Sequence, residues 1–320
     1  PFDTHPSSLT DGPHRVPIGG AGSAAFRVSV CHTRRMYVFA RGCVVAAAAL
    51  LVCATVLPQT AAAETSLIMR GTVIGRQPTD QEFIDYAQRV TGATAGLQPD
   101  PRLVGVPGQF WPVTGLTAPT FDQSVAIGLD MLAAEVDART GPVVVFGHSQ
   151  SAVIASREKA RLSGDPALAP GEVTFVLTAN PNRPNGGLFE RLAWLGTVPI
   201  LDATFGQPTP TDTPFLTHDI ALQDDAVADS PRYLFNPLAL LNALAGFVYI
   251  HGTYLDPNGD SPAPPYGYTP EQIEAAMAAA AAECSAATYC QHRPGTDTYY
   301  ITLPATRLPI MQPLPDLGAL

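Results

Sequence analysis

VVVFGHSQS, residues 143–151, is the stretch that decides the fold. Val143 to Phe146 are four apolar residues in a row, the pattern of a strand buried on both faces. From Ala152 to Leu162 the chain reads as a helix, apolar at Ala152, Ile154 and Ala155 and then charged at Arg157, Glu158 and Lys159. Between them, Gly147 and Ser151 flank Ser149 two residues to either side. A turn this tight needs residues with almost no side chain at those two positions.

A strand that runs into a helix through a sharp turn with serine at its apex is the nucleophile elbow of α/β-hydrolases. Ser151 stands where glycine is commonest, a small departure. In this arrangement Ser149 sits at the carboxyl end of a parallel strand, and the N–H of Gln150 at the start of the helix points into the same space, able to stabilise an oxyanion. The alternative is a plain strand–loop–helix connection that contains a serine; the buried strand before and the helix after, the context the motif requires, favour the elbow.

Outward from the elbow, the pattern alternates. Ser66 to Met69 read as a short central strand, and Pro78 to Val90 as an amphipathic helix with Phe83, Ile84, Ala87 and Val90 on one face. The loop after the first strand is where such folds place a second oxyanion N–H, and Thr72 is the expected donor. Leu103 to Val113 read as a short extended stretch, and Thr120 to Ala138 as a long helix stopped by Gly141-Pro142. Val173 to Leu177 form the next apolar strand. The alternation implies a mostly parallel sheet with helices on both faces, the α/β-hydrolase fold. Residues 182–215 break it: rich in Gly and Pro and carrying Leu188, Phe189, Trp194, Ile200 and Phe205, they read either as a lid-like insertion over Ser149 or as a hairpin packed on the core.

A serine hydroxyl needs a base, and the base an acid that fixes its tautomer; in this fold both follow the serine, acid first. Of His218, His251 and His292, His251 is favoured because apolar Phe247 to Ile250 lead directly into it, whereas His218 precedes the acid cluster and His292 lies beside Cys290 in a surface loop. A strand over Asp219 to Leu222 would leave Asp224 and Asp225 at its carboxyl end; Asp225 is the expected acid, with Asp229 in reserve.

The 320 residues give room for one large domain, and 46% hydrophobic residues supply its core. Residues 64–320 carry 13 Lys and Arg against 26 Asp and Glu, within an overall net charge of −10, which excludes a nucleic-acid surface. Residues 1–35 read as an upstream extension with translation starting at Met36. Residues 36–63 read as a secretory signal peptide: Arg41, an apolar run from Val44 to Leu57, and small residues Ala61 to Ala63. An uncleaved membrane anchor and a lipoprotein at Cys53 are the competing readings. The remaining 64–320 form the hydrolase domain. In an exported chain Cys284 and Cys290 are expected to pair as a local disulfide. Thr269 to Cys284 read as an Ala-rich helix and Tyr299 to Leu303 as a last strand. Without a glycine-rich phosphate loop or a ligand cluster, neither cofactor nor metal is expected.

Three segments together, GHSQSAVIASREKARL (147–162), NPNRPNGGLFERL (180–192) and HDIALQDDAVADSPRYLFNPLALLNALAGFVYIHGTYLDP (218–257), resemble the PE-PPE domain family of mycobacteria, a serine α/β-hydrolase domain related to cutinases. The resemblance covers roughly residues 66–310. It implies that serine at the fifth elbow position is ordinary, that Asp224-Asp225-Ala226 stands for the family's Tyr-Asp-Gly and puts the acid on Asp225, and that the His-x-x-Tyr pattern falls on His251 and Tyr254. A signal peptide is expected in place of a helical PE or PPE module. The implied activity is hydrolysis of carboxylic esters with short to medium acyl chains by a secreted or envelope-associated protein with a lipid or ester small-molecule substrate. The alternatives are acyl transfer between trehalose glycolipids of the cell envelope, and a catalytically inactive envelope-binding protein.

Overall fold

The computed structural model of the chain describes residues 65–74, 77–255, 270–305 and 307–312. The expected upstream extension and signal peptide lie outside them. Strand β1 (Thr65–Met69), β2 (Asp100–Leu103), β3 (Val143–His148), β4 (Val173–Thr178), β7 (Thr217–Leu222), β8 (Cys290–His292) and β9 (Thr298–Leu303) build one sheet in the order β2-β1-β3-β4-β7-β9-β8. A hairpin of β5 (Thr197–Val198) and β6 (Ala203–Thr204) stands apart from it. All pairs in the large sheet are parallel except β8 with β9, so the chain has the α/β-hydrolase fold expected from the elbow.

Successive residues of a strand face opposite sides of the sheet, and the core divides accordingly. Leu67, Met69, Val143, Val145, Val173 and Phe175 pack on one side with Leu132 and Val136 of α2 (Phe121–Asp137) and Val153 and Ile154 of α3 (Gln150–Leu162). Ile68, Val144, Phe146, Val176, Ile220 and Ile301 pack on the other with Phe83, Tyr86 and Val90 of α1 (Asp80–Ala95) and Met277 and Ala280 of α6 (Pro270–Ala282). Both α1 and α2 open on a threonine capping box, Thr79 with Glu82 and Thr120 with Gln123, which satisfies donors that a helix start otherwise leaves without partners.

Three readings of the sequence are corrected. The extended stretch expected over Leu103 to Val113 is instead β2 at Asp100–Leu103, an exposed edge strand; the chain beyond it is irregular, interrupted by Pro107, Gly108 and Pro112. Glu158 and Lys159, read as the start of a charged run in α3, are fully buried, Glu158 paired with Arg161 at 2.7 Å and Lys159 with Asp297 at 2.8 Å. Residues 237–249, left without an element, form helix α5 (Pro237–Tyr249), capped by Asn236.

The segment 182–215 contains the hairpin and, ahead of it, a short helix beside the cavity. Helix α4 (Leu188–Arg191) puts Leu188 and Phe189 on the cavity that contains Ser149, while the β5–β6 hairpin is tied to the start of α2 by Thr120 Oγ1 to Asp202 Oδ2 at 2.7 Å and Thr204 Oγ1 to Asp122 Oδ2 at 2.6 Å. Trp194 and Ile200 stay exposed. Cys284 and Cys290 form the expected disulfide, tethering α6 to β8.

Candidate active site

Ser149 follows β3 with φ 54° and ψ −118°, a left-handed conformation that a side chain adopts only under constraint, at a cost of about 1–3 kcal/mol. The constraint comes from its neighbours. A Cβ on Gly147 would stand 2.7 Å from the Ser151 carbonyl oxygen and 2.9 Å from Ala152 Cα, so only glycine lets α3 begin so close to β3. Ser151 uses its hydroxyl: it donates to the Met69 carbonyl at 2.7 Å and accepts from the His148 N–H at 2.8 Å. Serine in the fifth elbow position thus laces the turn to the end of β1, a bond glycine could not make.

Ser149 Oγ lies 2.9 Å from His251 Nε2, and His251 Nδ1 lies 3.0 and 3.2 Å from the two carboxylate oxygens of Asp225. The three side chains come from the ends of β3, the turn after β7 and the 3-10 turn His251–Leu255 that follows α5. Asp225 is fully buried and also accepts from Val227 N–H at 2.9 Å and from the Tyr254 hydroxyl at 2.8 Å; that hydroxyl in turn accepts from Leu222 N–H at 2.6 Å. Burial alone pushes the Asp225 carboxyl up, but the His251 charge and the hydrogen bonds from His251, Val227 and Tyr254 hold it below the usual carboxylate range. Asp229, the reserve acid, accepts from Asp224 N–H at 3.0 Å and shapes the acid loop rather than facing the imidazole.

The His251 ring lies between two others, stacked on His148 at 5.9 Å between centroids and on Phe247 at 5.6 Å. His148 is buried and held through Nδ1 by Thr178 Oγ1 at 3.0 Å. Burial and then the His251 charge lower its pKa to about 3, so it stays neutral when His251 takes a proton.

Gln150 opens α3 with a fixed side chain, Nε2 donating to the Gln109 carbonyl at 2.7 Å and Oε1 accepting from Ser124 Oγ at 3.1 Å. Thr72 and Gln150 both line the cavity that holds Ser149. Gly71 brings the loop after β1 against Ser149: a Cβ there would meet His148 O at 2.8 Å and Ser149 Cβ at 2.9 Å. The cavity, about 1680 Å3, is lined by apolar Phe110, Phe121, Leu188, Phe189 and Val227, and also by Gln77 and by Glu82, Asp85 and Gln88 of α1. Among the described residues no group of three His, Cys, Asp or Glu side chains could hold a metal ion.

His218 is not a competing base. It is buried in β7 against the Tyr299 ring, with neither ring nitrogen hydrogen-bonded, and burial lowers its pKa to about 4. An unfolded histidine takes up its proton near pH 6.5, so acidification below that favours the unfolded chain, and stability is lost until the folded value is passed. His218→Phe is therefore expected to gain about 2 kcal/mol over wild type at pH 5 relative to the difference at pH 8. Urea unfolding at the two pH values measures it; a difference that does not change with pH contradicts the buried neutral imidazole.

The PE-PPE domain model matches residues 98–320. The chain belongs to the PE-PPE domain family. β1 and α1 precede the matched span yet share its sheet and its core, so the fold of this PE-PPE domain extends upstream of the match. Curated relatives in Mycobacterium tuberculosis include "Esterase PE16", 37% identical over 261 residues, 78% of this chain and 44% of that protein, and "SL1278 acyltransferase Chp1", 38% identical over 210 residues, 63% of this chain and 50% of that protein. The chain thus spans half or less of the length of these relatives. "Diacyltrehalose acyltransferase Chp2" from the same organism is 24% identical over 225 residues, 67% of this chain and 57% of that protein. What sequence reasoning missed in this PE-PPE domain is the setting of Ser149, His251 and Asp225: Gly71 against Ser149, Phe247 and His148 on the His251 ring, and the bridge from Tyr254 to Asp225. Only Tyr254 left a signal, its place three residues after His251.

Proposed function

We propose that the chain is a serine carboxylester hydrolase that works through an acyl-enzyme on Ser149. The observation that carries this reading is the unbroken relay from Ser149 Oγ through His251 to Asp225 at hydrogen-bond distances. His251 Nε2 takes the hydroxyl proton as Ser149 Oγ bonds to the ester carbonyl carbon; Asp225 keeps the other nitrogen protonated and balances the imidazolium charge. The Gln150 N–H, with a second donor at Thr72, stabilises the oxyanion. His251 then protonates the departing alkoxide. Water then attacks the acyl carbon as His251 takes its proton, and His251 returns that proton to Ser149 Oγ as the acyl–oxygen bond breaks and the acid leaves. The apolar wall of Phe110, Phe121, Leu188 and Phe189 suits an acyl chain of short to medium length. The relative named an esterase favours hydrolysis.

Wild-type protein is expected to hydrolyse p-nitrophenyl butyrate, and Ser149→Ala to abolish that turnover while keeping the thermal midpoint. Wild-type turnover no greater than that of the Ser149→Ala variant rejects the reading and leaves a catalytically inactive envelope-binding protein.

Acyl transfer to a sugar hydroxyl is the second reading, favoured by the two relatives named as acyltransferases. It shares the acyl-enzyme and differs only in the hydroxyl that resolves it. Supplying trehalose glycolipid together with the ester and finding acylated sugar in place of free acid decides for transfer. Export to the cell envelope belongs to the same proposal, supported by the signal pattern of residues 36–63 and by a disulfide of the kind that persists in oxidising compartments.

A further inference from the structure

Helix α5 packs on the domain with the wrong residues inward. Its buried positions are Ala243 and Gly246, and Gly246 is pressed so close to the acid loop that a Cβ there would stand 2.0 Å from the Asp224 carbonyl oxygen. Its large side chains point to solvent: Leu238 is 71% exposed, Leu244 61% and Val248 63%, with Leu240 and Leu241 above half. Phe235, just ahead of the helix, is 97% exposed. At 100° per residue, Leu240, Leu241, Leu244 and Val248 share the face opposite Gly246. A surface helix of a globular protein normally carries the reverse pattern, and an exposed apolar face of this size marks a surface that meets something apolar.

Two further observations say what it meets. The face is continuous with the cavity: Phe247, Val248 and Tyr249 belong to α5 and also line the space in which Ser149 lies, and Phe247 stacks on His251. A protein partner seated on α5 would close that opening, whereas a lipid layer would supply substrate through it. In addition, residues 233–255 contain no Asp, Glu, Lys or Arg, in a chain of net charge −10. Attachment to anionic headgroups draws on clustered basic residues, which this face does not have.

We infer that α5 docks the enzyme on an uncharged lipid surface and feeds ester substrate from that surface into the cavity past Phe247 and Val248. The inference rests on the acyl-enzyme reading of the same cavity. The helix lies on the layer and does not cross it: no helix among the described residues is long and apolar enough to span a membrane.

The test is the double variant Leu241→Glu/Leu244→Glu, whose positions lie on the exposed face and do not line the cavity, compared with the wild-type full chain. Flotation with phosphatidylcholine vesicles and hydrolysis of a long-chain ester carried in them are measured beside hydrolysis of soluble p-nitrophenyl acetate. The variant is expected to lose at least about tenfold in vesicle partitioning and in vesicle-borne turnover, at unchanged soluble turnover and thermal midpoint. Wild-type binding should not weaken between 50 mM and 500 mM salt, on the order of a threefold drop in Debye length. Equal partitioning and equal vesicle-borne turnover of the two proteins overturn the inference. So does a wild-type dimer that the variant breaks while vesicle binding is absent in both, which would give the face to a second copy. A wild type that floats with vesicles and loses flotation in the variant, yet hydrolyses neither ester, keeps the docking surface and rejects the acyl-enzyme reading.

Discussion

Changing Asp225 to asparagine is expected to lower kcat on a soluble ester by about 10^3- to 10^4-fold, with KM and the thermal midpoint close to wild type. The carboxylate accepts from His251 Nδ1, so that Nε2 is free to take the Ser149 proton. Asparagine removes the negative charge that balances the imidazolium, and whichever oxygen its NH2 replaces puts a donor 3.0 or 3.2 Å from Nδ1, which competes with the Nδ1 proton and favours the tautomer with the proton on Nε2. The fold persists because the acid loop is also held by Asp229 and by the approach of Gly246. His251→Ala removes the base altogether and is expected to cost at least as much. Steady-state kinetics with p-nitrophenyl butyrate measures both; an Asp225→Asn loss of less than about tenfold would show that the carboxylate does not orient the imidazole.

The largest effect on stability is expected at a pair that takes no part in the chemistry. Arg183 Nε lies 3.2 Å from Asp219 Oδ1 with both side chains fully buried, but neither of those atoms makes an aligned hydrogen bond. Asn180 Nδ2 donates to Asp219 Oδ2 at 2.8 Å, and Arg183 reaches Thr302 Oγ1 at 2.8 Å and the Tyr300 ring. Burial outweighs the attraction of Arg183 and pushes the Asp219 carboxyl up to about 6, so it is ionised at pH 7 at a desolvation cost. Asp219→Ala leaves a guanidinium buried without its counter-charge and is expected to destabilise by about 3–5 kcal/mol at pH 7. The double change Arg183→Met/Asp219→Leu is expected to recover most of that loss, because an apolar pair needs no counter-charge. Urea midpoints at pH 7 compare the three proteins; a double variant as unstable as Asp219→Ala would show that the site is limited by shape and not by charge.

The same pair shows where the sequence could be read and where it could not. Asp219 looks like one of four acids near the end of a strand, and nothing local reveals that Arg183, 36 positions earlier, faces it across β4 and β7. Glu158 and Lys159 mislead for the same reason: their charges are balanced inside the fold, Lys159 by Asp297, and the partner decides burial. Residues 143–151, by contrast, carry their own context, since an unbroken apolar run, small residues at fixed spacing and a following helix allow few other arrangements. The topology of such a sheet implies acid before histidine, and the fold brings Asp225 and His251, 76 and 102 positions from Ser149, within hydrogen-bond distance of each other and His251 within that distance of Ser149. Strand β2 escaped because an exposed edge needs no apolar alternation, and α5 because a helix that is apolar all round shows no periodicity.

The claim that the rest depends on is that Ser149 is made nucleophilic by His251. A fluorophosphonate reacts with such a serine in the native protein, and peptide mass spectrometry locates the adduct. One adduct per chain is expected, on the peptide containing Ser149, lost in Ser149→Ala and slowed by at least about a hundredfold in His251→Ala. Labelling of folded protein at another residue, or equal labelling rates with and without the imidazole, would contradict it.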